Sequence, residues 1–310
     1  MNLKLPLEDS PYLLDEHGPI FVVGCPRSGT TFLEDCLAGV PQIEAFTGVL
    51  VSPRLMHLIG YDASRGEDVD PLLLTMRDAF WQSFWRRVFF GSERIGEVVT
   101  RRKPLRNLFR RPSLDGISFC YKEPFLCFAI EQVARHFPNA KFLHIVRDGR
   151  DCADSLERTY ADALSNDVLT DEHLAKNKNS EIGIYRHWQN YYLPWWIPTG
   201  REAEFVGHST YGRCVWMWSE MVGRAASCGR TLGSTRYLEL GYKELVTNPS
   251  EHARRIIEFL AIGDLPRLVK RMGKAQVTSV GINKRRQSPE RLDEANRIAG
   301  DLFRQLGYET

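Results

Sequence analysis

The sequence predicts an α/β protein: a P-loop-like, three-layer α/β/α fold with a central parallel sheet and helical insertions. Three observations predict it. Short apolar runs alternate with helix-spaced segments, the first run ends in a glycine-bounded turn, and a later run leads straight into another helix. Residues 20–24 read Ile-Phe-Val-Val-Gly, a β-branched run suited to a buried parallel strand. Residues 30–37 place Phe32, Leu33, Cys36 and Leu37 at helical spacing before Gly39 and Pro41 stop the helix. A helix is expected over 124–137, ended by Pro138 and Asn139, and a second strand–helix unit starts at 141–146. Residues 235–240 read as a further strand, and 250–260 as a helix entered through Pro249.

With 310 residues, 43% hydrophobic and 26% charged, the chain reads as one domain over 1–310, with cap insertions at about 50–115 and 160–210. A net charge of +2 argues against general nucleic-acid binding. The charge is uneven, however. Between 81 and 111, Arg86, Arg87, Arg94, Arg101, Arg102, Lys103, Arg106, Arg110 and Arg111 face only Glu93 and Glu97. That stretch reads either as a solvated helix and loop or as a surface recruiting an anionic substrate or a membrane, a peripheral contact. No run of eighteen apolar residues occurs, so no transmembrane segment is expected. The first eighteen residues show no signal-peptide pattern, and the seven cysteines form no CxxC pair. Both point to a cytoplasmic protein with reduced thiols.

The turn after the first strand, Gly24-Cys25-Pro26-Arg27-Ser28-Gly29, has the G-x-x-x-x-G spacing of a phosphate loop. Backbone amides of Ser28, Gly29, Thr30 and Thr31 at a helix start suit an anion. A triphosphate-cleaving enzyme needs Lys after the second glycine, and here that residue is Thr30. A P-loop kinase or nucleotide-binding protein is therefore the rival reading, and the missing Lys tells against it.

The string Pro26-Arg27-Ser28-Gly29-Thr30-Thr31 resembles the 5'-phosphosulfate loop of the sulfotransferase superfamily, in the form typical of bacterial members and protein-tyrosine sulfotransferases. Residues 142–155, with Arg147 at a strand end and Ser155 two helical turns on, are similar to that family's 3'-phosphate site. The resemblance implies 3'-phosphoadenylyl sulfate (PAPS) as donor, its bisphosphate (PAP) as product, no metal, and a hydroxyl-bearing acceptor: a glycan, a lipid or a small molecule. It implies that Arg27 and Lys122 hold the transferring group, that Arg147 and Ser155 clamp the ribose 3'-phosphate, and that Tyr211 meets adenine. Lys284 and Arg285 fall in a stretch resembling the basic loop that closes over the donor, although Asn283 stands where the family has Trp.

The general base is not marked. Related tyrosine sulfotransferases carry a Glu where this chain has Gly48, and small-molecule sulfotransferases a His where it has Pro124. Glu123 and Glu44 are the nearest carboxylates; Glu123 reads as a catalytic base or as one half of an ion pair at a helix start. His144, inside an apolar strand, reads as a core histidine, while His187 and His208 stay open as bases. The loss of the usual base leaves a second rival, a decayed PAP-binding protein. The aromatic stretch 185–196 has two readings, a stacking platform for a sugar or lipid acceptor and the core of a helical subdomain.

Overall fold

The computed structural model describes residues 18–46, 51–90, 118–178, 183–261, 264–275 and 280–309. Its centre is a five-stranded, all-parallel sheet. The strands are β1 (Ile20–Val23), β2 (Ile43–Phe46), β3 (Ser118–Lys122), β4 (Lys141–Val146) and β7 (Tyr237–Gly241), in the order β2-β3-β1-β4-β7. Every residue of β1 is buried, and its side chains alternate between two cores. Phe21 and Val23 join one core, Ile20 and Val22 the other. A strand apolar on both faces needs helices on both faces, and the chain supplies them.

One face carries α1 (Thr30–Leu37), α10 (Tyr242–Thr247), α11 (Pro249–Leu260) and α12 (Leu265–Met272), whose apolar sides meet Val22, Leu143 and Leu240. The other face carries α2 (Pro53–Ser64), α3 (Asp70–Phe90), α4 (Ile130–His136), α5 (Gly149–Tyr160), α9 (Thr210–Leu232) and α14 (Pro289–Gln305). Three layers and a parallel sheet are as the sequence implies. β1 lies between β3 and β4, so the chain leaves it toward one edge and later returns to its other side. The crevice at the carboxyl ends of β1 and β4 is where such sheets bind ligands.

Two expectations need correction. The helix expected over 124–137 is broken: Pro124–Phe128 is a 3-10 turn, and Ala129 (φ −135°) leaves the helical region before α4 begins. The insertion at 160–210 is not wholly helical. It contains short helices at α6 (Asn166–Leu169), α7 (Glu172–Lys178) and α8 (Glu202–Gly207), but its aromatic stretch is a hairpin of β5 (Tyr185–Trp188) and β6 (Tyr191–Pro194). The cause is local. Gln189 takes φ +50° at the first turn position, and the aromatic pairs His187 with Tyr192 and Trp188 with Tyr191 then face each other across the strands. Beyond the hairpin, Trp195 and Trp196 are core residues. The basic stretch past Phe90, and Thr47 and Gly48, lie outside the described residues.

Candidate active site

The loop between β1 and α1 is bent by three residues with positive φ: Gly24 (+147°), Arg27 (+74°) and Gly29 (+105°). The glycines are required by space as well as by dihedral angle. A methyl group on Gly24 would stand 2.4 Å from the Ile145 carbonyl oxygen, and one on Gly29 would stand 2.7 Å from the Tyr242 ring. Ser28 N–H closes the turn on the Cys25 carbonyl at 3.1 Å. The Ser28 hydroxyl is wholly buried and has no hydrogen-bond partner among the described residues. A buried donor without a partner is costly, so its presence in the loop fits a ligand oxygen. Thr30 is buried and Thr31 exposed, at the first turn of α1.

Arg147, at the carboxyl end of β4, reaches this loop. Its Nη1 donates to the Arg27 carbonyl at 3.1 Å, and its own carbonyl accepts from Trp218 Nε1 on α9 at 3.0 Å. The Tyr242 ring lies beside it, with the Arg147 guanidinium carbon 5.2 Å from the ring centroid. Asp148 caps α5 through the Arg150 amide and takes the Arg150 guanidinium at 2.9 and 2.8 Å. Asp151 does approach, 3.6 Å from Arg147 Nη2. Ser155, two turns along α5, accepts from Arg27 Nε at 2.9 Å. The two sequence motifs thus meet in space: the exposed Arg27 side chain reaches Ser155, while Arg147 grips the backbone of Arg27.

Lys122 ends β3, in register with Val22 of β1, and is half-buried. By strand alternation its side chain is on the face of Cys120, the face that α1 covers. Glu123 is a cap. Its carboxylate is 4% exposed, Oε1 accepts from the Phe125 amide at 3.0 Å, and Oε2 lies 3.5 Å from the Tyr121 hydroxyl. Glu123 thus stands at a helix start, with Oε1 engaged as its cap. Glu44 sits in the amino half of β2, away from the carboxyl ends. His144 is fully buried against Tyr237, as a core histidine; His208 pairs with Glu294 at 3.4 Å, and His187 is exposed on the hairpin.

Tyr211 is fully buried at the start of α9 beneath Arg291, whose guanidinium carbon is 5.0 Å from its ring centroid; its hydroxyl has no hydrogen-bond partner among the described residues, and burial pushes its phenol pKa up. Tyr242, an aromatic ring at the crevice that sequence reasoning passed over, packs against both Gly29 and Arg147. Its one signal is position: it is the first residue of a helix that follows the strand beside β4. Lys284 and Arg285 lie in the short helix α13 (Asn283–Arg286), but their side chains are outside what is described. A cavity of about 280 Å³ adjoins Arg147, lined by Asp151, Tyr242, Lys243, Gly281 and Asn283 among others.

The family described as "Sulfotransferase family" matches residues 19–201, more than half of the chain. Among curated proteins, the protein-tyrosine sulfotransferase of Drosophila melanogaster is 24% identical over 251 residues, 78% of this chain and 38% of that protein. Protein-tyrosine sulfotransferase 2 of Gallus gallus is also 24% identical over 251 residues, 78% of this chain and 51% of that protein. The chain thus spans about half or less of the length of these relatives. In fold it is similar to the sulfotransferase domain from the curacin biosynthetic pathway, with TM-score 0.52, 16% identity, and coverage of 94% of this chain and 98% of that one.

Proposed function

This chain belongs to the sulfotransferase family, and from that premise we propose that it moves a sulfuryl group from 3'-phosphoadenylyl sulfate to an acceptor hydroxyl. The observation that carries the reading is the meeting of two anion sites: the Gly24–Gly29 loop with its buried Ser28 hydroxyl, and Arg147 with Ser155, linked through Arg27. A donor with phosphate groups at both its 5' and 3' positions suits two such sites. A triphosphate does not, because Thr30 follows the loop where a Lys would be needed.

When bound, that donor supplies an activated sulfuryl group on a phosphate leaving group. The chain supplies placement and positive charge. Loop amides and Ser28 hold the 5' end, Arg27 and Lys122 offset negative charge that grows there, and Arg147 and Ser155 hold the 3'-phosphate. Tyr242, packed between loop and Arg147, is a ring available to the nucleoside in addition to Tyr211. No single base is assigned; Glu123, whose Oε1 caps the turn, stands next to Lys122. The acceptor is a hydroxyl; the relatives' names point to tyrosine, whereas Gly48 in place of their Glu favours a glycan, lipid or small-molecule alcohol. A cytoplasmic setting belongs to the same proposal, supported by seven free cysteines.

Calorimetric titration with adenosine 3',5'-bisphosphate and, separately, with ATP tests the donor half. Clear preference for the bisphosphate is expected; preference for ATP, or binding of neither, overturns it. Labelled donor offered to a tyrosine peptide, simple phenols, glycans and glycolipids then identifies the acceptor class.

A further inference from the structure

The carboxylates of α5 hold a segment of chain far away in sequence. Asp151, 2% exposed, accepts the backbone amides of Gly281 at 3.0 Å and Asn283 at 2.7 Å. One turn on, Asp154 accepts from the Gln287 side-chain amide at 2.6 Å. A further turn on, Glu157 takes both terminal nitrogens of Arg291, at 2.8 and 3.1 Å. Acids three residues apart lie along one stripe of a helix. Their partners follow in chain order, so residues 281–291 run along α5 as a strap fastened at three points.

The first fastening also touches the anion site. Asp151 Oδ2, which accepts from Gly281, is the same oxygen that stands 3.6 Å from Arg147 Nη2. Asp151, Arg147, Gly281 and Asn283 all line the cavity of about 280 Å³. A carboxylate in the wall of a site for anions repels them unless its charge is occupied. Here two amides and a guanidinium occupy it. Burial is the largest influence on this carboxyl and raises its pKa, so loss of those partners would be felt.

We propose that Asp151 is a positioning residue that couples docking of the 281–291 strap to the orientation of Arg147 toward a bound 3'-phosphate. With the strap docked, the amides hold the carboxylate and the carboxylate holds the guanidinium; coupling of this kind is reciprocal, so an anion on Arg147 tightens the strap. The proposal rests on the donor reading above.

The test is hydrogen exchange of the full chain, read over 281–291, together with calorimetry, using adenosine 3',5'-bisphosphate and AMP, which lacks the 3'-phosphate. In the unmodified protein the bisphosphate slows exchange in the strap more than AMP does. Asp151→Asn, close in shape, is expected to weaken bisphosphate binding about tenfold, leave AMP binding unchanged, and abolish the extra protection. Equal weakening of both ligands, or unchanged bisphosphate binding with a protected strap, overturns the coupling. If Asp151→Asn does not fold, Glu157→Gln loosens the strap at its far end. It is expected to weaken the bisphosphate severalfold and spare AMP, and a loosened strap with unchanged bisphosphate affinity overturns the proposal. Should the unmodified protein bind AMP and the bisphosphate equally, the donor reading itself fails and the coupling with it.

Discussion

Arg27 and Ser155, 128 positions apart, are joined by a 2.9 Å hydrogen bond from guanidinium Nε to hydroxyl Oγ. It spans the two motifs, so a ligand that engages Ser155 must share or displace Arg27, and the exposed Arg27 side chain is free to move with it. Ser155→Ala removes one hydrogen bond to a charged group and should weaken adenosine 3',5'-bisphosphate about tenfold, while Arg147→Ala should weaken it about a hundredfold. AMP binding should change little in either. Calorimetry with both ligands checks this, and equal losses for AMP would remove these residues from a 3'-phosphate site.

How much of this is legible in the sequence depends on how local the cause is. The loop is legible because glycine spacing between a strand and a helix reports backbone geometry directly, and Arg147 with Ser155 because one ends a strand and the other lies about two turns into the helix that follows. Tyr242 is not legible. What makes it important is contact with Gly29 and Arg147, both far away in sequence, and those contacts depend on the strand order. At Tyr211 the sequence shows a tyrosine at a helix start, but not that α14 brings Arg291 over its ring. The hairpin at 185–194 hides behind its aromatic residues, which suit strand and buried helix alike; only the turn at Gln189 decides between them.

Lys122 stands one strand over from the loop, at the same end of the sheet, and should act on charge that develops during transfer more than on the resting donor. Lys122→Ala is therefore expected to lower kcat by about a hundredfold or more while the bisphosphate Kd moves less than about threefold. Steady-state kinetics alongside calorimetry separates the two. Comparable losses in both would make Lys122 a binding residue only.

The two tyrosines give opposite expectations. Tyr242→Ala removes the ring packed on both Gly29 and Arg147 and should weaken the bisphosphate by about 1–2 kcal/mol. Tyr211→Phe removes a buried hydroxyl that has no partner among the described residues, so binding should be unchanged and thermal stability equal or slightly higher. A donor-binding defect in Tyr211→Phe with intact Tyr242→Ala binding would make Tyr211, and not Tyr242, the tyrosine that meets the donor.

The cysteines decide a contest between burial and charge. Cys25 lies inside the phosphate loop, and Cys152 lies on α5 near Arg147 and Arg27, whose charges favour its thiolate. Burial wins: it pushes Cys25 well up and Cys152 to about 12, and Cys36 likewise to about 12. At pH 8 a thiol of that pKa is ionised in only about one molecule in ten thousand, so it reacts slowly even where a reagent reaches it. Six of the seven cysteines are buried and Cys228 is half-buried. Ellman's reagent should thus find at most one fast thiol in the native protein and seven after denaturation without reductant. Fast native reaction at Cys25, located by peptide mapping, would mean that the loop opens far enough to expose its interior, and protection of that thiol by the bisphosphate would then report loop closure on the ligand.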